Sequence, residues 1–307
     1  MSITTPRHPF SFNGSLGITR YTNLNRFLET SLEKILGLQK LGDIYQQLPS
    51  GQSNRDFLQS VFDHFHIQYT ATKDDSGHIP ASGGGIVVAN HPFGALEGMI
   101  LAHILLGVRK DVRILANEYL ERIPEIKDIF ITVNVFGGTH AINRNMRPLR
   151  RAIQWVKNGG LLVVFPAGEV SHLNIKEKRI VDPEWSSTIG RLVRITRAPV
   201  TPVYCCGSNR WLFHVLGIVH PRLRTALLPR ELLNKADKRV ELRIGKSIDF
   251  HKLRNMNDDR ELTKYLRIHT YALKILSASS QQRKQTNTNM EPVIDGPNKR
   301  LLSAEIE

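Results

Sequence analysis

Cysteine is nearly absent from this 307-residue chain: Cys205 and Cys206 are the whole complement, and they are adjacent. Neighbouring residues rarely bridge each other, so no disulfide framework holds the fold, and a reducing compartment is expected. Long apolar runs are missing too. The longest, Gly98 to Val108, contains a histidine and falls short of the roughly 20 residues a bilayer requires. Any membrane contact is therefore expected to be peripheral. The opening MSITTPRHPFSFNGS has no apolar h-region, and no signal peptide is expected. Aromatic residues make up only 7% and no nucleic-acid-binding module is recognisable, which argues against nucleic acid as a partner. The 12 histidines show no His-Glu-x-x-His or comparable spacing, so no metal is expected. A Gly-x-Ser-x-Gly elbow is also lacking, which argues against a serine hydrolase. Acid is the last shortage: 28 Asp and Glu stand against 42 Lys and Arg, giving a net charge of +14 and a pI near 10.0.

That basic surplus favours an acidic partner, whether nucleic acid, anionic lipid headgroups or an acidic carrier protein, and charge alone does not rank the three. A hydrophobic share of 41% suffices for a real core. Short β-rich runs recur from Ile67 onward: IQYTAT, GIVVAN, DVRILAN, IFITVNVF, GLLVVFP, APVTPVYC and KRVELRIG. Helical patterns lie between many of them, at Leu96–Leu106, Arg147–Lys157 and Ser186–Thr196, with a last one at Asp258–Leu276. The alternation predicts an α/β fold with a largely parallel central sheet flanked by helices.

Before the sheet, apolar residues recur at helical spacing from Leu24 to Tyr45 and again from Phe57 to Phe65. They read as an N-terminal helical layer over residues 1–66, packed on an α/β domain over 67–278. A membrane-facing amphipathic surface is the rival reading of that layer. Residues 279–307 are polar and without aromatics, and a disordered tail is expected there. No internal repeat is present.

In open α/β sheets, sites form beyond the carboxyl ends of strands. The stretch IVVANHPFGALEG, Ile86 to Gly98, runs a buried-looking strand into His91. Pro92 biases His91 towards extended backbone, which would carry the imidazole to the strand rim. Glu97 follows in the first turn of the next helix. It is a candidate partner for His91, and equally a helix-start glutamate drawn by unsatisfied N–H groups. A second block, Phe165-Pro166-Ala167-Gly168-Glu169-Val170-Ser171, repeats the plan of strand, proline, glycine and carboxylate. Glu169 is the second candidate partner of the histidine. Between the blocks, GGTHAINR brings in Arg144, a candidate anion ligand, while Arg150 and Arg151 read as a solvated basic face. The two cysteines lie on an apolar strand and read as core.

Taken together, these blocks resemble the four motifs of the glycerolipid (lysophospholipid) acyltransferase superfamily, in order, from about His91 to Val203. Asn90-His91 and four further residues match the first motif, with Leu96 at its aspartate position and Glu97 one step on. Gly138 to Arg144 matches the second. Phe165 to Ser171 matches the third, with Ala167 in place of its glutamate and Glu169 and Val170 in place of its Thr-Arg. Pro199 to Val203 matches the fourth. NHPFGALEG with FPAGEVSH is similar to a bacterial, hemolysin-like branch associated with O-acylation of lyso-amino-acid lipids of the ornithine or glycine type.

The resemblance implies an O-acyltransferase that carries a fatty acyl chain from acyl carrier protein or acyl-CoA to the hydroxyl of a lysolipid, with no bound cofactor. It implies His91 as general base and Glu97 as its partner, with Asn90, Gly138, Arg144, Pro166, Gly168, Glu169 and Ser171 around the substrates. Thioester-to-hydroxyl transfer needs a base that titrates near neutrality and donors for the tetrahedral oxyanion. Backbone N–H groups of the Gly168 turn are the expected oxyanion donors. The implied location is cytoplasmic, peripheral on the inner face of the cell membrane. Acylation of lysophosphatidate or another lysophospholipid, and a non-catalytic lipid-binding relative, are the alternatives.

Overall fold

The computed structural model describes residues 9–10, 23–71, 77–133 and 138–286, without the side chains of residues 23–29, 118–119, 138–145 and 275–286. Three helices lead in: α1 Asn23–Leu36, α2 Leu38–Gln47 and α3 Asn54–Phe65. The single helical stretch expected from Leu24 to Tyr45 is two, because Gly37 between them adopts φ 78°, a left-handed conformation that ends a helix at little cost only for glycine.

All seven expected strands form. They are β1 Gln68–Thr70, β2 Gly85–Ala89, β3 Val112–Asn117, β4 Phe130–Val133, β5 Leu161–Val164, β8 Val200–Cys205 and β9 Arg239–Ile244. Their order across the sheet is β1-β9-β8-β2-β5-β3-β4. Every pairing is parallel except β8 with β9. The sequence reading missed a small antiparallel hairpin, β6 His172–Asn174 with β7 Arg179–Val181.

Helices cover both faces of the sheet, as parallel strands require. They are α4 Ala95–Val108, α5 Gly138–Lys157, α6 Thr188–Thr196 and α11 Asp259–Thr286. Side chains on a strand alternate between faces, and β2 shows the consequence. Val87 and Ala89 join a core with Phe62 of α3 and Ile100 and Leu101 of α4. Ile86 and Val88 join another with Val156 of α5, Val193 of α6 and Leu266 of α11. The inner residues of α3 are thus part of the main core and do not form a membrane-facing surface.

Four short α-helices complete the set among the described residues. Three lie between β8 and β9, namely α7 Trp211–Val219, α8 Pro221–Ala226 and α9 Leu228–Leu233; α10 Phe250–Leu253 precedes α11. Helix α11 continues to Thr286, past the expected end at Leu276, and the rest of the expected tail lies outside the described residues. Among the described residues, no helix is long and apolar enough to cross a membrane.

Candidate active site

The strands β8, β2 and β5 lie side by side and parallel, so their carboxyl ends open onto one rim. His91 follows the end of β2, Cys206 the end of β8, and the turn Phe165–Ser171 the end of β5. Gly94 caps α4 with φ 105°, a conformation other residues rarely adopt, and a Cβ there would lie 2.9 Å from Leu228. The tight turn brings Glu97 back under the histidine.

His91 Nδ1 and Glu97 Oε1 lie 2.7 Å apart. Glu97 is fully buried, at 0% exposure, whereas the His91 side chain keeps 18%. Glu97 Oε1 also accepts the backbone N–H groups of Phe93 at 3.1 Å and Gly94 at 3.0 Å. One oxygen of Glu97 thus faces the imidazole and also satisfies the N–H groups at the helix start. The imidazole contact is close but out of line for a ring N–H, since Nδ1 has no aligned hydrogen bond and Oε2 has no partner among the described residues. The ring stacks on Phe165 of the second block, centroids 4.5 Å apart.

The two blocks are joined through the backbone. Ser171 donates its N–H to the His91 carbonyl at 2.7 Å, and its hydroxyl donates to Asp182. Asp182 also accepts the His91 N–H at 3.2 Å and the Trp185 indole N–H at 2.9 Å. Its own backbone donates to the Tyr271 hydroxyl and accepts from Arg267. This buried aspartate was missed by the sequence reading. It sits on a short, polar stretch with no periodic signal, and its partners come from four separate segments.

Several expected site residues turn out to do other work. Both amide atoms of Asn90 are used by one residue: Nδ2 donates to the Cys205 carbonyl at 2.9 Å, and Oδ1 accepts its N–H at 2.7 Å. Asn90 thus laces the ends of β2 and β8, and its side chain is buried between them. Glu169 pairs with Arg224 of α8 at 2.6 Å, not with His91. The Gly168 N–H closes its own turn onto the Phe165 carbonyl at 3.0 Å, so it is not the free oxyanion donor expected. Pro166 is buried, and its carbonyl accepts from Ser186 at 2.9 Å.

Gly138 opens α5 and Arg144 lies on its first half, but the Arg144 side chain lies outside the described residues. Arg147, Arg150 and Arg151 are exposed. Cys205 is fully buried and its thiol is pushed well up by burial, with the charge of Glu97 adding to it; it is a core residue. Arg224 was also missed. Burial lowers its pKa, and the Glu169 carboxylate opposes that. A cleft of about 620 Å³ opens beside the end of β8, lined among others by Tyr204, Cys206, Gly207, Lys178 and Lys274. His91 does not line it.

Residues 38–279 match the family described as Acyltransferase. The chain is 25% identical over 236 residues to a lyso-glycine lipid O-acyltransferase of Phocaeicola vulgatus, covering 75% of this chain and 81% of that protein. It is 20% identical over 264 residues to a lyso-glycine lipid O-acyltransferase of Bacteroides thetaiotaomicron, covering 83% and 92%. Among solved structures, the 1-acyl-sn-glycerophosphate (LPA) acyltransferase PlsC of Thermotoga maritima aligns with a TM-score of 0.45 and 19% identity, over 88% of this chain and 90% of that one. With most of its length matched, from α2 into α11, the chain belongs to the acyltransferase family and is an acyl-transferring enzyme.

Proposed function

We propose that this enzyme transfers a fatty acyl chain from the thioester of acyl carrier protein or coenzyme A to the hydroxyl of a lyso-amino-acid lipid of the glycine or ornithine type. The observation that carries the reading is the contact of His91 with Glu97 on the rim shared by the two motif blocks. The names of the two curated relatives support the acceptor class. With Nδ1 turned to Glu97, the other ring nitrogen is the one available to a substrate. It takes the acceptor hydroxyl proton as the oxygen attacks the thioester carbonyl. The new C–O bond forms, the C–S bond breaks, and the imidazolium returns its proton to the departing thiolate. Glu97 stabilises the transient imidazolium and fixes the tautomer. Its contact with Nδ1 straightens as charge develops, since catalytic hydrogen bonds often align only in the reacting complex. Phe165 holds the ring plane, and no covalent enzyme intermediate is needed.

The enzyme works peripherally at the inner face of the cell membrane, where a surface of net charge +14 would meet anionic lipid. The test is direct. Purified protein is given acylated acyl carrier protein or acyl-CoA, each with a labelled acyl chain, and a panel of lyso-glycine, lyso-ornithine and lysophosphatidate acceptors, and the products are identified by mass spectrometry. An O-acylated amino-acid lipid, absent with His91→Ala, is expected. Transfer to lysophosphatidate alone, or unchanged turnover in His91→Ala, overturns the reading.

A further inference from the structure

Helices α7 and α8 present apolar side chains to solvent. Trp211 is 73% exposed, Val219 70% and Ile218 50%, with Val215 and Leu223 beside them. On α7 these are positions i, i+4, i+7 and i+8, one continuous helical stripe, while Phe213 and His214 of the same helix face inward and are buried. Along these two helices the charged side chains have one sign. From Ser208 to Arg230 the sequence contains four arginines and no acidic residue. Arg224 is turned inward to Glu169, whereas Arg210, Arg222 and Arg230 are exposed.

We infer that the α7–α8 face is the membrane-docking surface of the enzyme, inserted into the headgroup region of an anionic bilayer. This inference rests on the lysolipid reading above and names the surface through which the acceptor is reached. A tryptophan-led apolar stripe rimmed by arginine is the composition that lies in such an interface. A second copy of the chain is a poorer occupant, because a two-fold contact would set the same arginine rim against itself. An acidic carrier protein would match the arginines but leave no reason for the broad apolar stripe.

The face is also built onto the catalytic rim. Phe213 and Leu227 share a small core with Val170 of the second block. Arg224 holds Glu169 in that same turn, and Asn209, just before α7, donates to the Phe93 carbonyl at 3.2 Å. Docking of α7 and α8 would therefore set the His91 rim against the lipid surface, so the acceptor hydroxyl need not leave the bilayer.

The experiment uses the full chain with vesicles of phosphatidylcholine, with or without phosphatidylglycerol, in sedimentation and fluorescence. Partition onto the anionic vesicles is expected with a blue shift of tryptophan emission that Trp211→Phe removes. Trp211→Ser combined with Ile218→Ser is expected to weaken partition by about tenfold or more, about 1.4 kcal/mol. It should lower transfer to vesicle-borne lysolipid in proportion, yet leave transfer to a dispersed short-chain lysolipid unchanged. Undiminished partition of the double variant, equal binding to both vesicle types, or a dimer that the double variant dissociates would each overturn the inference. So would weakened capture of acyl carrier protein with vesicle partition intact. If the parent chain acylates no lysolipid but still binds anionic vesicles through Trp211, the functional reading fails and this one stands.

Discussion

The Glu97 oxygen that lies 2.7 Å from His91 Nδ1 is the same oxygen that accepts the N–H groups of Phe93 and Gly94. A single carboxylate thus closes the turn that carries the histidine and faces the imidazole across it. Glu97→Gln separates these duties. Its amide oxygen can keep both backbone hydrogen bonds, but it offers the imidazolium no charge. The expected result is a thermal midpoint close to the parent and a turnover lower by up to about 10⁴-fold, the scale seen when an orienting carboxylate is neutralised. Normal turnover with a lowered midpoint would make Glu97 a helix-start residue and nothing more.

Asn90 replaces a missing stretch of strand pairing between the ends of β2 and β8 through its two bonds to Cys205. Asn90→Ala removes both and leaves a buried carbonyl and N–H without partners. A loss of about 1–3 kcal/mol is expected, measured by urea unfolding, with KM for the acceptor little changed in the folded fraction. A raised KM at parental stability would return Asn90 to the substrate-binding set.

Asp182 collects donors from His91, Ser171 and Trp185 on its two oxygens. Asn in its place can accept on one oxygen only, so its amide must face a donor. Asp182→Asn should destabilise the fold by about 3 kcal/mol, shift the emission of Trp185, and slow turnover by displacing the His91 backbone. Parental stability and emission would show that the aspartate is dispensable to the rim.

His103, on α4, is buried beneath α3 with Nδ1 2.5 Å from the Tyr69 hydroxyl. Burial, helped by the nearby Arg55 charge and opposed by Asp56, holds its pKa down to about 4. The unfolded chain, with a histidine near the ordinary value of 6.5, takes up that proton first as pH falls. The stability His103 contributes is therefore complete above about pH 6.5 and is lost between there and about pH 4, up to about 3 kcal/mol. His103→Gln keeps an acceptor for Tyr69 and should show a shallower fall in urea-unfolding free energy over this window. His214, lowered chiefly by burial as well, accounts for part of what remains. Identical pH dependence in parent and variant would clear His103 of the effect.

What could be read from the sequence was local. Each of the seven strands of the main sheet announced itself by a β-rich run, and most of the longer helices by their period, because backbone conformation answers to neighbouring residues. His91 was legible for the same reason: Pro92 sets its backbone and Gly94 the turn behind it. The break at Gly37 had a local signal that the long helical period overrode. Helix α7 passed unnoticed because it is apolar on almost every side and shows little contrast of period.

The remainder was decided by sheet order and burial. Asn90 meets Cys205 only because β8 lies against β2. Asp182 gathers its donors only once the hairpin, α11 and the two motif turns converge on it. Glu169 was a plausible partner for His91 until α8 brought Arg224 to it. Polar groups taken out of water must find partners, and those partners are separated by too much chain for local pattern to name them. Local chemistry brought a histidine and a carboxylate to the end of a strand; three-dimensional packing determined which atoms they, and their neighbours, would face.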